Sequence, residues 1–378
     1  MYTDPPNLVR VRPELNQIAE YIPGESLEAF CARTGIPFHT LIKLNSNESP
    51  YGPAPQVLKA LSEHGNYNNY PDTDSNALRQ SLTAYTGVDS RFIVVSHGSN
   101  ELINLLWHIF LSSGDNIICC PPTFSLYTTI TTFCGAHVLE VPRTEDYEVD
   151  VEGILKALTP QTKMIVLCSP NNPTGNLIAE EDVLALLETG RIVVVDEAYV
   201  EFSDSPGGLA HLVPEHQNLV VLRTFSKWAG LAGLRIGYGL FPEWIVTYMR
   251  RAQCPFEVNV AGHIAAIEVL KHLDYTLDKV QQIVEERERL FTLLAKQPFL
   301  KPLSSQGNFI LARINNEEAS ISQLRAVVEA YGILLRYFNS PHLGDFVRIT
   351  VGLPEHTDRL AQALAKIKTA HSIMEMTH

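Results

Sequence analysis

Leu219-Val220-Val221-Leu222-Arg223-Thr224-Phe225-Ser226-Lys227 is the stretch on which the reading of this chain turns. Its apolar run reads as a buried strand, and the lysine that follows has few polar neighbours. Desolvation disfavours the ammonium form, so a neutral amine becomes available to condense with an aldehyde. Thr224 and Ser226 offer hydroxyls on the same stretch, and Arg235, eight residues further on, offers a planar cation. Together they suit a phosphate dianion carried by that aldehyde. A solvated lysine in a loop after a strand explains Ser226-Lys227 alone equally well, so other segments decide.

A second apolar run, Arg191-Ile192-Val193-Val194-Val195-Asp196-Glu197-Ala198-Tyr199, reads as a strand covered on both faces and ending in a carboxylate. Ligands of open parallel sheets sit beyond the carboxyl ends of the strands, which places Asp196 at the same crevice. An acid there keeps a pyridine nitrogen protonated and the ring electron-poor, and pyridoxal phosphate carries the ring, the aldehyde and the phosphate. Tyr199 lies three residues on, within reach of the ring's phenolic oxygen. A helix cap is the other common use of an Asp after a strand. The third run, Met164 to Cys168, opens into Ser169-Pro170-Asn171-Asn172-Pro173-Thr174-Gly175. Pro173 biases Asn172 to an extended backbone and frees its amide to donate to a ring oxygen. A strand-to-helix turn accounts for any one of these residues, though not for the string. The fourth run, Arg91 to Ser96, leads through His97-Gly98-Ser99-Asn100 into an apolar-periodic helix. Amides freed at a helix start, with the Ser99 hydroxyl, form an anion site; Ser99 as an N-cap uses the same geometry.

Lys43 to Pro53, Tyr70-Pro71-Asp72, Pro121-Pro122-Thr123-Phe124, Ser169 to Gly175, Asp196 to Tyr199 and Arg223 to Tyr238 form an ordered set. In that order they resemble the fold-type I pyridoxal-phosphate aminotransferases, and within them the histidinol-phosphate aminotransferase family. The resemblance runs almost from end to end. It implies that Lys227 forms a Schiff base with pyridoxal phosphate, that Asp196 pairs with the ring nitrogen, and that Asn172 and Tyr199 hold the phenolic oxygen. It sets Gly98, Ser99, Asn100, Thr224, Ser226 and Arg235 around the phosphate. Phe124 falls where the family places an aromatic ring over the pyridine face; a core phenylalanine is the plainer reading. Tyr70 falls where the family sends a tyrosine into the neighbouring subunit's site, which implies a homodimer. A surface tyrosine suits its turn-rich segment equally.

For the substrate, Tyr21 in Tyr21-Ile22-Pro23-Gly24 matches a family tyrosine that approaches the substrate phosphate from an N-terminal arm. Arg336 and Arg348 match two anion-binding arginines, with Asn308 placed to orient Arg348. A buried guanidinium needs a partner, which a substrate anion or a fixed internal salt bridge supplies. The implied reaction transfers an amino group from L-histidinol phosphate to 2-oxoglutarate, giving imidazole acetol phosphate and L-glutamate in histidine biosynthesis. An aminotransferase for aromatic or other amino acids shares every cofactor residue. Threonine-phosphate decarboxylase resembles the family too, and a non-enzymatic cofactor-binding regulator is the reading from a different class.

Composition narrows the partners. The 378 residues carry a net charge of −13, without a basic run or aromatic-basic interleaving, which argues against nucleic acid. That overall field repels anionic substrates, so binding falls to local arginines in a partly dry pocket. No apolar stretch is long enough to cross a bilayer, and the 13 histidines show no metal-ligand spacing. Six cysteines without a Cys-x-x-Cys or a secretory signal read as buried thiols of a reduced, cytoplasmic protein.

The organisation expected is α/β: a mixed, mainly parallel sheet flanked by helices, with a smaller α+β domain. An arm over 1–44 packs with the small domain and active site, a large cofactor-binding domain spans 45–255, and a linking helix and small domain span 256–378. Helices are expected over Leu102 to Phe110, Glu180 to Leu187, Val260 to Ala295 with a break near His272, Ile321 to Tyr331 and His356 to Lys368. Strands are expected near Phe309 to Ile314 and Val347 to Val351.

Overall fold

The computed structural model describes residues 11–18, 25–338 and 343–367. Its strands, in chain order, are β1 (Ile42–Leu44), β2 (Ile93–Ser96), β3 (Asn116–Cys119), β4 (His137–Glu140), β5 (Thr162–Cys168), β6 (Ile192–Asp196), β7 (Leu219–Thr224), β8 (Gly237–Leu240), β9 (Leu300–Pro302), β10 (Phe309–Ile314), β11 (Ile333–Tyr337) and β12 (Phe346–Thr350). Seven of them form one sheet in the order β2-β8-β7-β6-β5-β3-β4. Its pairs are parallel except those of β8, which runs antiparallel to both β2 and β7. The continuous Val, Ile and Leu runs of β5, β6 and β7 follow from this placement, since helices cover both faces and leave no side for a polar alternation.

The remaining five strands form a second sheet, β1-β11-β12-β10-β9, antiparallel except for the β1–β11 pair. Two helices, Val260–Lys271 and Leu273–Ala295, lie between β8 and β9 in the chain, and they break at His272 as the sequence suggests. Asn259 starts the first by accepting the Gly262 amide at 2.7 Å. Ser320 and Gln323 build a reciprocal capping box at the start of helix Ile321–Ala330. The last described helix is Pro354–Leu364, starting two residues before the expected His356 because Pro354 sits at its first position; residue 368 lies outside the described residues.

Among the described residues no helix is long and apolar enough to cross a membrane. Cys119, Cys120, Cys134 and Cys168 are buried, as expected, but Cys31 is half-buried and Cys254 is exposed. Both follow from position: Cys31 lies on a helix of which only Phe30 is buried, and Cys254 just past the end of helix Glu243–Ala252.

A buried ion pair lies under the reactive edge of the large sheet. Arg223 donates to Glu197 Oε2 at 2.8 Å through Nε and to the Gly207 carbonyl at 2.6 Å, while the Leu209 amide donates to Glu197 Oε1 at 2.7 Å. Burial alone works against the Arg223 cation, but Glu197 and the neighbouring Glu201 carboxyl raise its pKa overall. Removing one member of such a pair leaves an uncompensated buried charge. Arg223→Met is therefore expected to lower stability by about 3–5 kcal/mol, read from the urea midpoint. A loss below about 1 kcal/mol would show that the pair contributes little to the fold.

Candidate active site

Because every strand of the large sheet but β8 runs the same way, the carboxyl ends of β2, β5, β6 and β7 share one edge. Lys227, three residues past β7, donates from Nζ to the Ser46 carbonyl at 3.0 Å. Burial lowers its pKa to about 8, and the Arg348 and Arg235 cations push the same way against Glu48. About a tenth of this amine is thus uncharged at pH 7, the state a nucleophile requires, against less than about a thousandth at the ordinary lysine value.

Asp196 ends β6 and is almost wholly buried. Burial raises its pKa to about 6, opposed by the Tyr127 hydroxyl donating to Oδ2 at 2.8 Å and the Ala198 amide donating to Oδ1 at 3.2 Å. Tyr127 comes from helix Leu126–Phe133, and Phe124 meets its ring edge-on at 5.6 Å between centroids. Tyr199 is also buried; burial raises its phenol to about 12, against the Arg348 cation and the Asn47 amide. Its oxygen accepts from Asn47 Nδ2 at 3.1 Å and from Asn172 Nδ2 at 3.4 Å. Asn172, in the loop after β5 and before a cis Pro173, accepts Arg348 Nη1 on its Oδ1 at 2.6 Å.

A second group lies at the start of helix Ser99–Phe110. Gly98 precedes it at φ 86, and a Cβ there would stand 2.8 Å from Arg235 Nη2, so glycine is what lets the guanidinium lie against this backbone. A Cβ on Gly237 would meet the Ser99 amide at 2.6 Å. Thr224 Oγ1 donates to Ser226 Oγ at 2.9 Å, and Arg235 Nη1 reaches Ser226 Oγ at 3.5 Å. Helix amides, two hydroxyls and a guanidinium in one place form an anion cradle. Asn100 is exposed beside it.

Arg348, on β12, donates to the Asn45 carbonyl at 2.8 Å and lies 5.5 Å from the Phe309 ring centre. It pairs in register with Arg336 of β11. Directly opposed residues of an antiparallel pair project to the same face, where like charges are unfavourable. An anion between them removes that cost.

Asn308, expected to orient Arg348, donates its amide to the Asn47 carbonyl at 3.0 Å and so supports that segment. Tyr70 is 81% exposed and stacked on Phe256 at 4.4 Å. Tyr21 lies outside the described residues. Four participants escaped sequence reasoning: Tyr127, Ser46, Asn47 and Thr350. Only Ser46 and Asn47 carried a signal, within the distinctive Lys43 to Pro53 string.

The donor set fits pyridoxal phosphate. A buried carboxylate suits a protonated ring nitrogen, the amides and phenol near Tyr199 suit a ring oxygen, a lysine of lowered pKa suits an aldehyde, and the cradle suits a phosphate. Comparison with known proteins agrees. Residues 39–364 match the family model "Aminotransferase class I and II". The chain is 44% identical to a histidinol-phosphate aminotransferase of Dehalococcoides mccartyi, over 86% of this chain and 90% of that one. It is 43% identical to chloroplastic histidinol-phosphate aminotransferase 1 of Arabidopsis thaliana, over 94% and 85%. Among solved structures, histidinol-phosphate aminotransferase from Sinorhizobium meliloti in complex with pyridoxal-5'-phosphate superposes with a TM-score of 0.85 at 26% identity, covering 96% of this chain and 98% of that one. This chain therefore belongs to the class I and II aminotransferases, as a pyridoxal-phosphate-dependent enzyme of their histidinol-phosphate aminotransferase family.

Proposed function

We propose that the chain transfers the amino group of L-histidinol phosphate to 2-oxoglutarate, yielding imidazole acetol phosphate and L-glutamate, in the histidine biosynthesis of a cytoplasm. The observation that carries the reading is the cross-strand pair Arg336 and Arg348, two cations on one sheet face, of which Arg348 is near enough to Lys227 to lower its pKa. Phosphate-bearing histidinol phosphate and the carboxylates of glutamate each supply an anion for them. The names of the relatives support the same substrate.

Gly98, Ser99, Asn100, Thr224, Ser226 and Arg235 hold the cofactor phosphate, Phe124 covers one ring face, and Asp196 keeps the ring nitrogen protonated. Tyr199 and Asn172 hold the phenolic oxygen. When bound, pyridoxal phosphate supplies a carbonyl that captures the amino group and a ring that accepts the electron pair left at the α-carbon. Lys227 Nζ, once free, takes the proton from the substrate's α-carbon, for which a pKa near 8 is well matched. The Ser46 carbonyl gives that free amine a fixed acceptor. Tyr21 approaches the substrate phosphate from the arm. Two copies complete the site, the neighbour's Tyr70 reaching the cofactor phosphate; the exposed Tyr70–Phe256 stack agrees with a role outside this subunit. The arm 1–44, the large domain 45–255 and the small domain 256–378 are the corresponding divisions.

A donor screen with 2-oxoglutarate as acceptor tests this. Histidinol phosphate is expected to exceed histidinol, which lacks the phosphate, by roughly 100-fold or more in kcat/KM, because charge-assisted hydrogen bonds from guanidinium to phosphate are worth several kcal/mol in a partly buried site. Arg348→Ala is expected to lower kcat/KM for histidinol phosphate and glutamate alike by a similar factor. Equal rates with histidinol and histidinol phosphate, a faster aromatic amino acid, or release of carbon dioxide would each overturn the assignment.

A further inference from the structure

Three consecutive residues join groups of both sheets at the site: the Asn45 carbonyl accepts from Arg348, the Ser46 carbonyl from Lys227, and the Asn47 amide donates to Tyr199. Asn47 is 1% exposed and fastened at every polar atom. Its backbone N–H donates to Thr350 Oγ1 at 3.0 Å, Thr350 Oγ1 returns a proton to Asn47 Oδ1 at 3.0 Å, and Asn308 donates to its carbonyl at 3.0 Å. The backbone stands at φ 54, a conformation that asparagine tolerates better than most residues with a side chain.

This network fixes the direction of a hydrogen bond. Thr350 spends its proton on Asn47 Oδ1, so the Asn47 NH2 group is the end that faces Tyr199. Arg348 can only donate, so it takes Asn172 Oδ1 as acceptor and leaves that NH2 group facing Tyr199 as well. A phenol oxygen accepts at most two hydrogen bonds and carries one proton. With two amides donating to it, Tyr199 has to give its proton to a third group. The edge-on contact of Phe309 with the Tyr199 ring, at 5.1 Å between centroids, limits the ring's rotation.

We propose that Asn47, held by Thr350, is a positioning residue that obliges Tyr199 to donate its O–H to the phenolic oxygen of the cofactor. The inference rests on the placement of Tyr199 at that oxygen and adds what sets the direction of the bond. A donated proton stabilises negative charge on the oxygen. Losing it disfavours the deprotonated form of the lysine-bound chromophore and raises the pH at which its absorbance changes.

The test is spectrophotometric titration of the cofactor-loaded enzyme, with no turnover. Asn47→Gly keeps the positive φ accessible and removes the amide. It is expected to raise the chromophore pKa by about one unit, as is Tyr199→Phe. In the Tyr199→Phe background, Asn47→Gly is expected to add nothing, since its effect passes through the missing hydroxyl. Thr350→Val, which frees the Asn47 amide to turn, is expected to shift the pKa in the same direction by less, and it carries the test if the glycine variant does not fold. An unchanged pKa in Asn47→Gly or, failing its folding, in Thr350→Val overturns the proposal while Tyr199→Phe still shifts. A full additive shift in the double variant overturns it too. No shift in Tyr199→Phe itself removes the placement of Tyr199 on which the inference stands.

Discussion

Lys227→Ala yields a protein that, saturated with pyridoxal phosphate, lacks the yellow absorbance trapped by borohydride, and whose kcat falls by about 10,000-fold or more. The figure combines loss of the covalent tether with loss of a positioned base, the latter alone contributing about 100- to 10,000-fold in other enzymes. Lys43, the other lysine whose charge Lys227 feels, is paired with Glu48 at 2.6 Å. A reducible chromophore that persisted in Lys227→Ala would therefore place the reactive amine elsewhere. In the wild-type apoprotein, capture of the cofactor is expected to speed up about tenfold per pH unit below pH 8 and to level off above it, because only the neutral amine attacks. Stopped-flow absorbance between pH 6 and 9 measures this.

Asp196→Asn separates catalysis from stability. An amide cannot hold a protonated ring nitrogen as a carboxylate does, and kcat is expected to fall by about 1000-fold with the cofactor still bound through Lys227 and the phosphate cradle. The apoprotein moves the other way. Asp196 titrates at about 6 in the folded chain, above the usual carboxylate value. The folded state thus binds more protons than the unfolded one between those two points, and stability falls as pH rises through that window. At pH 7 the apoprotein of Asp196→Asn is expected to be more stable than wild type by on the order of 2 kcal/mol, and below pH 4 to match it. Tyr127 can turn its hydroxyl to accept from the new amide, so the substitution leaves no orphaned donor. Urea titrations of both apoproteins at pH 4 and pH 7 decide it; a less stable variant at pH 7 would mean that Asp196 is already stabilised as an anion.

What was legible in the sequence is what depends on neighbours in the chain. β5, β6 and β7 are unbroken apolar runs whose following residues are the turn-rich Asn172 loop, Asp196 and Lys227, so both strand and strand end could be read from a few residues. The break at His272 and the cap at Ser320 are equally local. Asn47 and Thr350 are 303 positions apart and meet only because β1 and β12 both join the second sheet through β11. No periodicity encodes that meeting. Tyr127 reads as one more apolar position on its helix until the fold brings its hydroxyl against Asp196. The Asn308 amide is just as remote from its acceptor, the Asn47 carbonyl, 261 positions away in the chain.

The reversed direction of β8 has a consequence for how this chain can vary. It brings the beginning of that strand, not its end, to the reactive edge, so the single excursion from Thr224 to Gly237 bears both the amine at Lys227 and the guanidinium at Arg235. Surface connections usually absorb extra residues. This one spans a fixed distance between two anchored groups, and lengthening it by even one residue would put aldehyde and phosphate contacts out of step, so insertions and new chain ends belong on the opposite rim of the sheet.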